Sequence, residues 1–314
     1  MRMEARSRST LAILVAVLAA VLGFLYHKYA PDPAVGVRVY FTDRHDREPV
    51  LLNSSTLRTF PTPHGDDKLC VIVAGYTEQA ISSWSIPLAQ ALLRRGRAGV
   101  VLLVDYYHLT TISRPAMNNN IDIVAKTLAE FFSHLANDRD FSLSRVHVLC
   151  FSMAGRVMGS MPQHLSTPQK IGRITAMDPS TPWPGYHRHL GPDELLDDGD
   201  ADEVVVLRSS VVSSSLPPLA RDFVINGGLL QEGCYGWHWP QFLSNICSHY
   251  RAHWLVIEAL LNDGSFPACS GGAEDLANSS SRRRQHHPTA YQFPDVFYII
   301  NFWTLDMKTS HLPA

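Results

Sequence analysis

The sequence predicts an α/β fold built on a mostly parallel central sheet with helices on both faces. Several short segments are apolar at nearly every position, among them LCVIV (69–73), VVLLV (100–104), VHVLC (146–150) and EVVVL (203–207), and helical segments fall between them. A strand without a polar face has no side left for water. Helices that return the chain between such strands let them run parallel and cover the sheet on both faces.

VRVYF (37–41) reads as a strand with alternating faces, and LCVIVAGYT (69–77) as a buried strand ending in a turn. SSWSIPLAQALLRR (82–95) reads as a helix, with Pro87 tolerated near its first turn and basic residues at its end. After the strand beginning at Val100, residues 120–135 place Ile121, Val124, Leu128, Phe131 and Leu135 at helical spacing, so that one face docks on the sheet. VHVLCFSMAGR (146–156) reads as strand, sharp turn and helix. Residues 174–177 form a further strand with Asp178 at its carboxyl end, and EVVVLRSS (203–210) one more. CSHYRAHWLVIEALL (247–261) leads into an apolar helix, and FYIINFWTL (297–305) reads as a last strand.

With 314 residues, 46% hydrophobic and 18% charged, the chain is globular and long enough to bury a substantial core. A formal charge of -2 gives no reason to expect nucleic acid or another polyanion as partner. Arg2, Arg6 and Arg8 precede an apolar run at 11–25, the basic-then-apolar layout of a secretory signal, and the run is short of the roughly 20 residues of a membrane span. Residues 1–30 are expected to be a cleavable signal, or a signal anchor because His27 and Lys28 follow the run closely; residues 31–314 form the body. Either layout predicts a secreted or membrane-anchored protein facing an oxidising compartment.

Of the five cysteines, Cys70 and Cys150 lie in strand-like runs and read as buried small hydrophobes. Cys234 and Cys247 bracket a short aromatic segment and make a natural bridge, which leaves Cys269 without an obvious partner. No cysteine pair has metal-ligand spacing, and no metal or other cofactor is expected. Asn53 and Asn278 open glycan-acceptor tripeptides. The basic cluster at Arg282 to Arg284, with His286 and His287, reads first as a solvated loop, with an anionic-surface contact or a proteolytic target as the alternatives.

The chemistry centres on Ser152. A serine on a sharp turn between a strand and a helix is the nucleophile position of α/β-hydrolases, written G-x-S-x-G; here Cys150 and Ala154 stand where the glycines would be. In an open parallel sheet, ligands are handled at the carboxyl ends of strands, and Asp178 occupies such an end one strand later. The chain order Ser, Asp, His then asks for a histidine on a later loop. His249, directly after the bridged loop and at a helix start, is the best candidate among the 15. Ser152 would attack an ester carbonyl, His249 would take and return the proton, and Asp178 would fix the imidazole. The backbone N–H groups of Met153 and of Tyr76, in the turn after the Leu69 strand, are the expected oxyanion donors.

KIGRITAMDPSTP (170–182), DFVINGGLLQEGC (222–234) and CSHYRAHWLVIEAL (247–260) resemble the corresponding blocks of the pancreatic lipase family. The AGYT turn, the SSW segment at Ser82 and the helix at Asn120 also align in order with family features, and the resemblance spans residues 37–305. It implies a triad of Ser152, Asp178 and His249, oxyanion donors Tyr76 and Met153, and a lid running from Cys234 through Cys247. It also implies a carboxylic ester hydrolase that meets lipid at a membrane or lipid interface, of phospholipase A1 or triacylglycerol lipase type. The chain departs from the family in three places. Cys150 and Ala154 replace the elbow glycines, and Ala74-Gly75 replaces the usual His-Gly before the oxyanion residue. The lid is short, as in phospholipase A1 members, and rich in aromatic residues. The chain ends soon after 305, so the family's C-terminal β-sandwich, and with it colipase recruitment, is not expected. The altered elbow motivates an alternative, a weak or inactive homologue that serves as a lipid- or protein-binding module.

Overall fold

A computed structural model describes residues 36–44, 48–52, 61–110, 114–181, 186–213, 216–234 and 240–262, and the structural statements that follow are of these residues. The N-terminal apolar run, Asn53, Asn278, Cys269, the basic cluster at 282–287, residues 235–239 of the lid and the expected strand at 297–305 lie outside them.

Eight strands form one sheet: β1 (Arg38–Asp43), β2 (Val50–Leu52), β3 (Leu69–Val73), β4 (Val100–Asp105), β5 (Val146–Phe151), β6 (Ile171–Met177), β7 (Ala201–Arg208) and β8 (Asp222–Val224). Their spatial order is β2-β1-β4-β3-β5-β6-β7-β8. The six strands from β4 to β8 run parallel, whereas β1 lies antiparallel to both β4 and β2 at one edge. β2 and β8, three residues each, are too short to show a hydrophobic period.

Every residue of β3, β4 and β5 is buried, and the pleat sends alternate side chains to opposite faces. Val71, Val73, Leu102, Val104 and Val148 pack on one face beneath α2 (Arg114–Asp138) and α3 (Ala154–Ser160). Ile72, Val101, Leu103, Leu149 and Phe151 pack on the other beneath α1 (Ser85–Arg94) and α4 (Gln241–Leu261). The spacing in α2 holds: Ile121, Val124, Leu128, Phe131 and Leu135 are all buried. Each large side chain fully buried in this way contributes about 1.5–3 kcal/mol. The helix starts earlier and ends later than its apolar stripe, because its ends carry polar residues that the period does not register.

The carboxyl end of β7 is anchored by charge. Arg208, nearly inaccessible to solvent, donates from Nε to both oxygens of Asp222 at 2.8 Å, and its other nitrogens donate to the carbonyls of Ser213, Leu216 and Pro217. A buried guanidinium with its donors used in this way holds the segment after β7 against the β8 edge, where removing either partner costs about 3–5 kcal/mol.

Asp200, at the entry to β7, is pushed up to about 7 by burial from an ordinary value of 3.8. Between those two values the folded chain keeps a proton that the unfolded chain has lost, so this residue's contribution to stability is lost as pH rises from about 4 to about 7. Asp200→Asn is expected to flatten the decline. Denaturant titrations of both chains at several pH values across that window check it, and parallel pH profiles would show that Asp200 does not titrate there.

Candidate active site

The structure places Ser152 between β5 and α3, as the strand–turn–helix pattern predicts. Its φ of 57° lies in the left-handed region, which is strained for a residue with a side chain. Backbone bonds on both sides hold it there: Ser152 N–H donates to the Met177 carbonyl at 3.1 Å, and the Ser152 carbonyl accepts from the N–H groups of Ser180 and Gly155, each at 3.1 Å. Cys150 and Ala154, in place of the motif's glycines, are both wholly buried in the core. The tightest approach falls one residue later. A Cβ on Gly155 would stand 2.9 Å from the Pro179 Cβ, so the close packing of turn against β6 requires glycine there.

Asp178 follows β6 with a φ of 46° and has no solvent exposure. Its Oδ1 accepts the backbone N–H groups of Ser209 at 2.6 Å and Ser210 at 3.0 Å, and its Oδ2 accepts the Ser210 hydroxyl at 2.5 Å. His249 completes the arrangement: its Nδ1 lies 2.6 Å from Asp178 Oδ2 and its Nε2 2.8 Å from Ser152 Oγ. A carboxylate only accepts, so Nδ1 carries the proton and Nε2 is left to accept from the serine hydroxyl. Ser152 Oγ has a second neighbour, the Ser180 hydroxyl at 2.9 Å.

The expected position of His249 at a helix start is corrected. α4 begins at Gln241, so His249 sits on its third turn and residues 241–246 of the expected lid are helical. Pro240, immediately ahead of the first helical residue, is the missed signal. The expected bridge is present: Cys234 and Cys247 are joined, with Cα atoms 5.4 Å apart, which ties the chain before α4 to the helix two residues ahead of His249. Cys70 and Cys150 are free, and burial pushes both thiols up to about 12, so neither is a thiolate at neutral pH.

Tyr76 and Met153 line one cleft together with Tyr106 and Met117. The turn that carries Tyr76 is held by Glu78, whose carboxylate accepts the Gly75 N–H at 2.9 Å and the Trp84 indole N–H at 3.3 Å. Burial raises this carboxyl above its ordinary value, and the two hydrogen bonds oppose the rise. A Cβ on Gly75 would meet the Glu78 Oε2 at 2.8 Å and the Phe151 ring at 2.9 Å, so the turn closes only over glycine. Met153 stands at the start of α3, where the first N–H groups of a helix have no intrahelical acceptor.

An aromatic bed lies beneath His249. Its ring centroid is 4.7 Å from that of Phe151, and His253, one helical turn on, stacks on Trp84 at 4.7 Å with 7° between planes. Neither nitrogen of His253 has a hydrogen-bond partner among the described residues, and the residue is 1% exposed. Burial first, then the neighbouring His249, lowers it to about 3 from 6.5. The solvent side of α4 is apolar as well: Phe242, Leu243, Ile246, Tyr250 and Trp254 are exposed. Among the described residues no group of three or more His, Cys, Asp or Glu side chains is placed to hold a metal ion.

The sequence missed Ser209 and Ser210, which hold Asp178, along with Ser180, Glu78 and His253. The two serines end the 203–210 strand and were open to the same strand-end rule that singled out Asp178. The other three depend on contacts between distant elements.

A serine on a left-handed turn after the central strand of a mostly parallel eight-stranded sheet defines an α/β-hydrolase fold. The family profile described as Lipase matches residues 47–278, and the chain belongs to the pancreatic lipase family. It is 29% identical over 217 residues to lipoprotein lipase of Neovison vison, covering 62% of this chain and 44% of that one. It is 31% identical over 182 residues to phospholipase A1 member A of Rattus norvegicus (57% and 38% covered), and 26% over 278 residues to pancreatic triacylglycerol lipase of Myocastor coypus (74% and 57%). The chain thus spans about half the length of the relatives it matches. Among solved structures it is similar to an α/β hydrolase from a Medee basin deep-sea metagenome library (TM-score 0.35, 11% identity, 72% and 98% covered). A second is esterase B of Lactobacillus rhamnosis (TM-score 0.35, 11% identity, 88% and 98% covered).

His253→Phe keeps the aromatic stack and removes two buried polar atoms without partners, each of which costs about 1–3 kcal/mol. The lowered value of His253 means that the unfolded chain binds a proton the folded chain refuses, so its stability contribution is lost as pH falls from 6.5 towards 3. The variant is expected to unfold at higher denaturant at pH 7 and to lose less stability on acidification. An unchanged acid slope would mean that the ring is satisfied in solution.

Proposed function

We propose that the chain is an exported lipid-ester hydrolase in which Ser152 is the nucleophile, His249 the general base and acid, and Asp178 the residue that holds and charge-balances the imidazole. The observation that carries it is the unbroken hydrogen-bonded sequence Ser152 Oγ, His249 Nε2, His249 Nδ1, Asp178 Oδ2, with distances of 2.8 and 2.6 Å. Ser152 Oγ attacks the ester carbonyl carbon as its proton passes to Nε2, and Asp178, unable to leave its donors, stabilises the imidazolium. The oxyanion meets the backbone N–H groups of Met153 and Tyr76, each worth about 3 kcal/mol in such sites. The alcohol leaves with the proton from Nε2, and water reverses the sequence to free the acid.

His253 faces the same aromatic bed, but burial keeps it uncharged, so its ring does not compete with His249 for the proton. The exposed apolar side of α4 suits a lipid interface, where Trp and Tyr rings sit at the depth of the head groups. The short interval between Cys234 and Cys247 favours phospholipid over triacylglycerol, since it leaves the mouth open to bulky polar heads. The basic-then-apolar N-terminus supports export, with release or anchoring set by whether the signal is cleaved.

The exported protein is expected to release fatty acid from phospholipid vesicles and to be labelled by a serine-directed phosphonate, with Ser152→Ala abolishing both. Absence of release from phospholipid and from triacylglycerol, together with absence of labelling, would defeat the hydrolase assignment and leave a lipid-binding role.

A further inference from the structure

We propose that Ser180 is a further catalytic residue, a hydroxyl donor that acts directly on the nucleophile oxygen. Its Oγ lies 2.9 Å from Ser152 Oγ, and that is its side chain's hydrogen-bond partner among the described residues. Both residues are buried, Ser180 at 6% exposure and Ser152 at 8%, so the contact between their hydroxyls is a buried one. The Ser180 backbone N–H also donates to the Ser152 carbonyl at 3.1 Å, which fixes the two residues to each other independently of the side chains.

The direction of the bond follows from proton counting along the chain of contacts. Asp178 accepts from Ser209 N–H, Ser210 N–H, the Ser210 hydroxyl and His249 Nδ1. His249 therefore keeps its proton on Nδ1, and Nε2 takes up the one hydrogen of Ser152. Ser152 Oγ has only lone pairs left for Ser180, so Ser180 donates and Ser152 accepts.

This bond is worth most when Ser152 Oγ is most negative. In acylation the Oγ–C bond forms while the serine proton moves to Nε2 and the carbonyl π pair moves to the oxygen that becomes the oxyanion. One lone pair of Oγ makes the new bond, and the other stays on Ser180, which keeps its own proton throughout. Collapse breaks the bond to the alcohol, which leaves with the proton from Nε2. In deacylation Oγ is itself the leaving group, and the same donor stabilises the charge that returns to it before Nε2 hands back a proton. A hydrogen bond to a charged oxygen is worth enough to change a rate about 10- to 100-fold.

The inference rests on the hydrolase function proposed for Ser152. Its test is the rate of labelling of the full chain by an alkyl phosphonate ester, resolved into the saturating rate and the half-saturating concentration, for the parent, Ser180→Ala, Ser180→Thr and Ser180→Cys. Thermal midpoints are taken beside the rates. The expected result is a saturating rate about tenfold or more lower in Ser180→Ala at an unchanged half-saturating concentration. Ser180→Thr, which keeps the hydroxyl, regains most of the rate, and Ser180→Cys, a weaker donor, falls between. A merely structural Ser180 would instead make Ala and Thr fall together with their thermal midpoints, and that outcome overturns the proposal. So does labelling of Ser180→Ala at the parent's rate. Should Ser180→Ala not fold, the Thr and Cys rates decide, since equal rates for the two contradict a donor. A parent chain that is not labelled at all defeats the hydrolase function and this proposal together, whereas a labelled parent with an unaffected Ser180→Ala defeats this proposal alone.

Discussion

The fully buried carboxylate of Asp178 constrains everything around it. A charge with no access to water is tolerable only where its oxygens are occupied, and here two backbone N–H groups, a hydroxyl and an imidazole occupy them. Meeting that requirement fixes the end of β6, the end of β7 and the third turn of α4 relative to one another. The donors from Ser209 and Ser210 are in place because Arg208, one residue earlier, is locked to Asp222 and to three carbonyls of the following segment. The ion pair at the β8 edge thus belongs to the site, although it touches none of its reacting atoms. Through His249 the same constraint reaches Ser152, whose left-handed backbone is held from the other side by Met177 and Ser180.

The sheet sets the distances in this system. Parallel strands β5, β6 and β7 lie side by side and end on the same side, so the residues just past them, Ser152, Asp178 and Ser209, follow one another along one edge of the sheet with Asp178 in the middle. α4 then has to bring a histidine over that edge. Its buried side packs on β-sheet residues such as Leu149 and Leu207, while Phe151, Trp84 and His253 form an aromatic floor that sets the height of the His249 ring. The bridge from Cys234 to Cys247 fastens the chain ahead of the helix at nearly the same point, which limits how far the histidine can move. Glu78 ties the Gly75 turn to this floor, accepting the Gly75 and Trp84 N–H groups where the turn passes close to Phe151.

Much of this was legible in the sequence, and the reasons differ from residue to residue. Ser152 and Asp178 could be read because a continuous apolar strand announces where it stops, and the residue after it is displayed at the sheet's carboxyl edge. His249 followed from chain order and from the block of residues around it, yet its place on the helix was misread: Cys247 looked like the end of a loop, and the helical run from Gln241 has its apolar residues facing out as well as in. β1 was legible as a strand but not as an antiparallel one, since alternation of side chains carries no information on direction. β2 and β8 were too short to show any period. Ser180, Glu78 and His253 were not legible, because each owes its role to a neighbour on another element and a single sequence does not display such pairs. Cys150 and Ala154 take places in the core rather than at the surface of the turn, and the glycine that the turn needs stands at Gly155.

The central claim is that Asp178 forces His249 into the tautomer that leaves Nε2 free to take the Ser152 proton. Nitrogen-15 NMR of the protein labelled at histidine, with the His249 signals assigned by their loss in a His249→Gln variant, reads that tautomer directly. At a pH where the ring is neutral, the proton is expected on Nδ1 with none on Nε2. A neutral ring with its single proton on Nε2 would overturn the assignment, since Ser152 would then have no base to receive its proton.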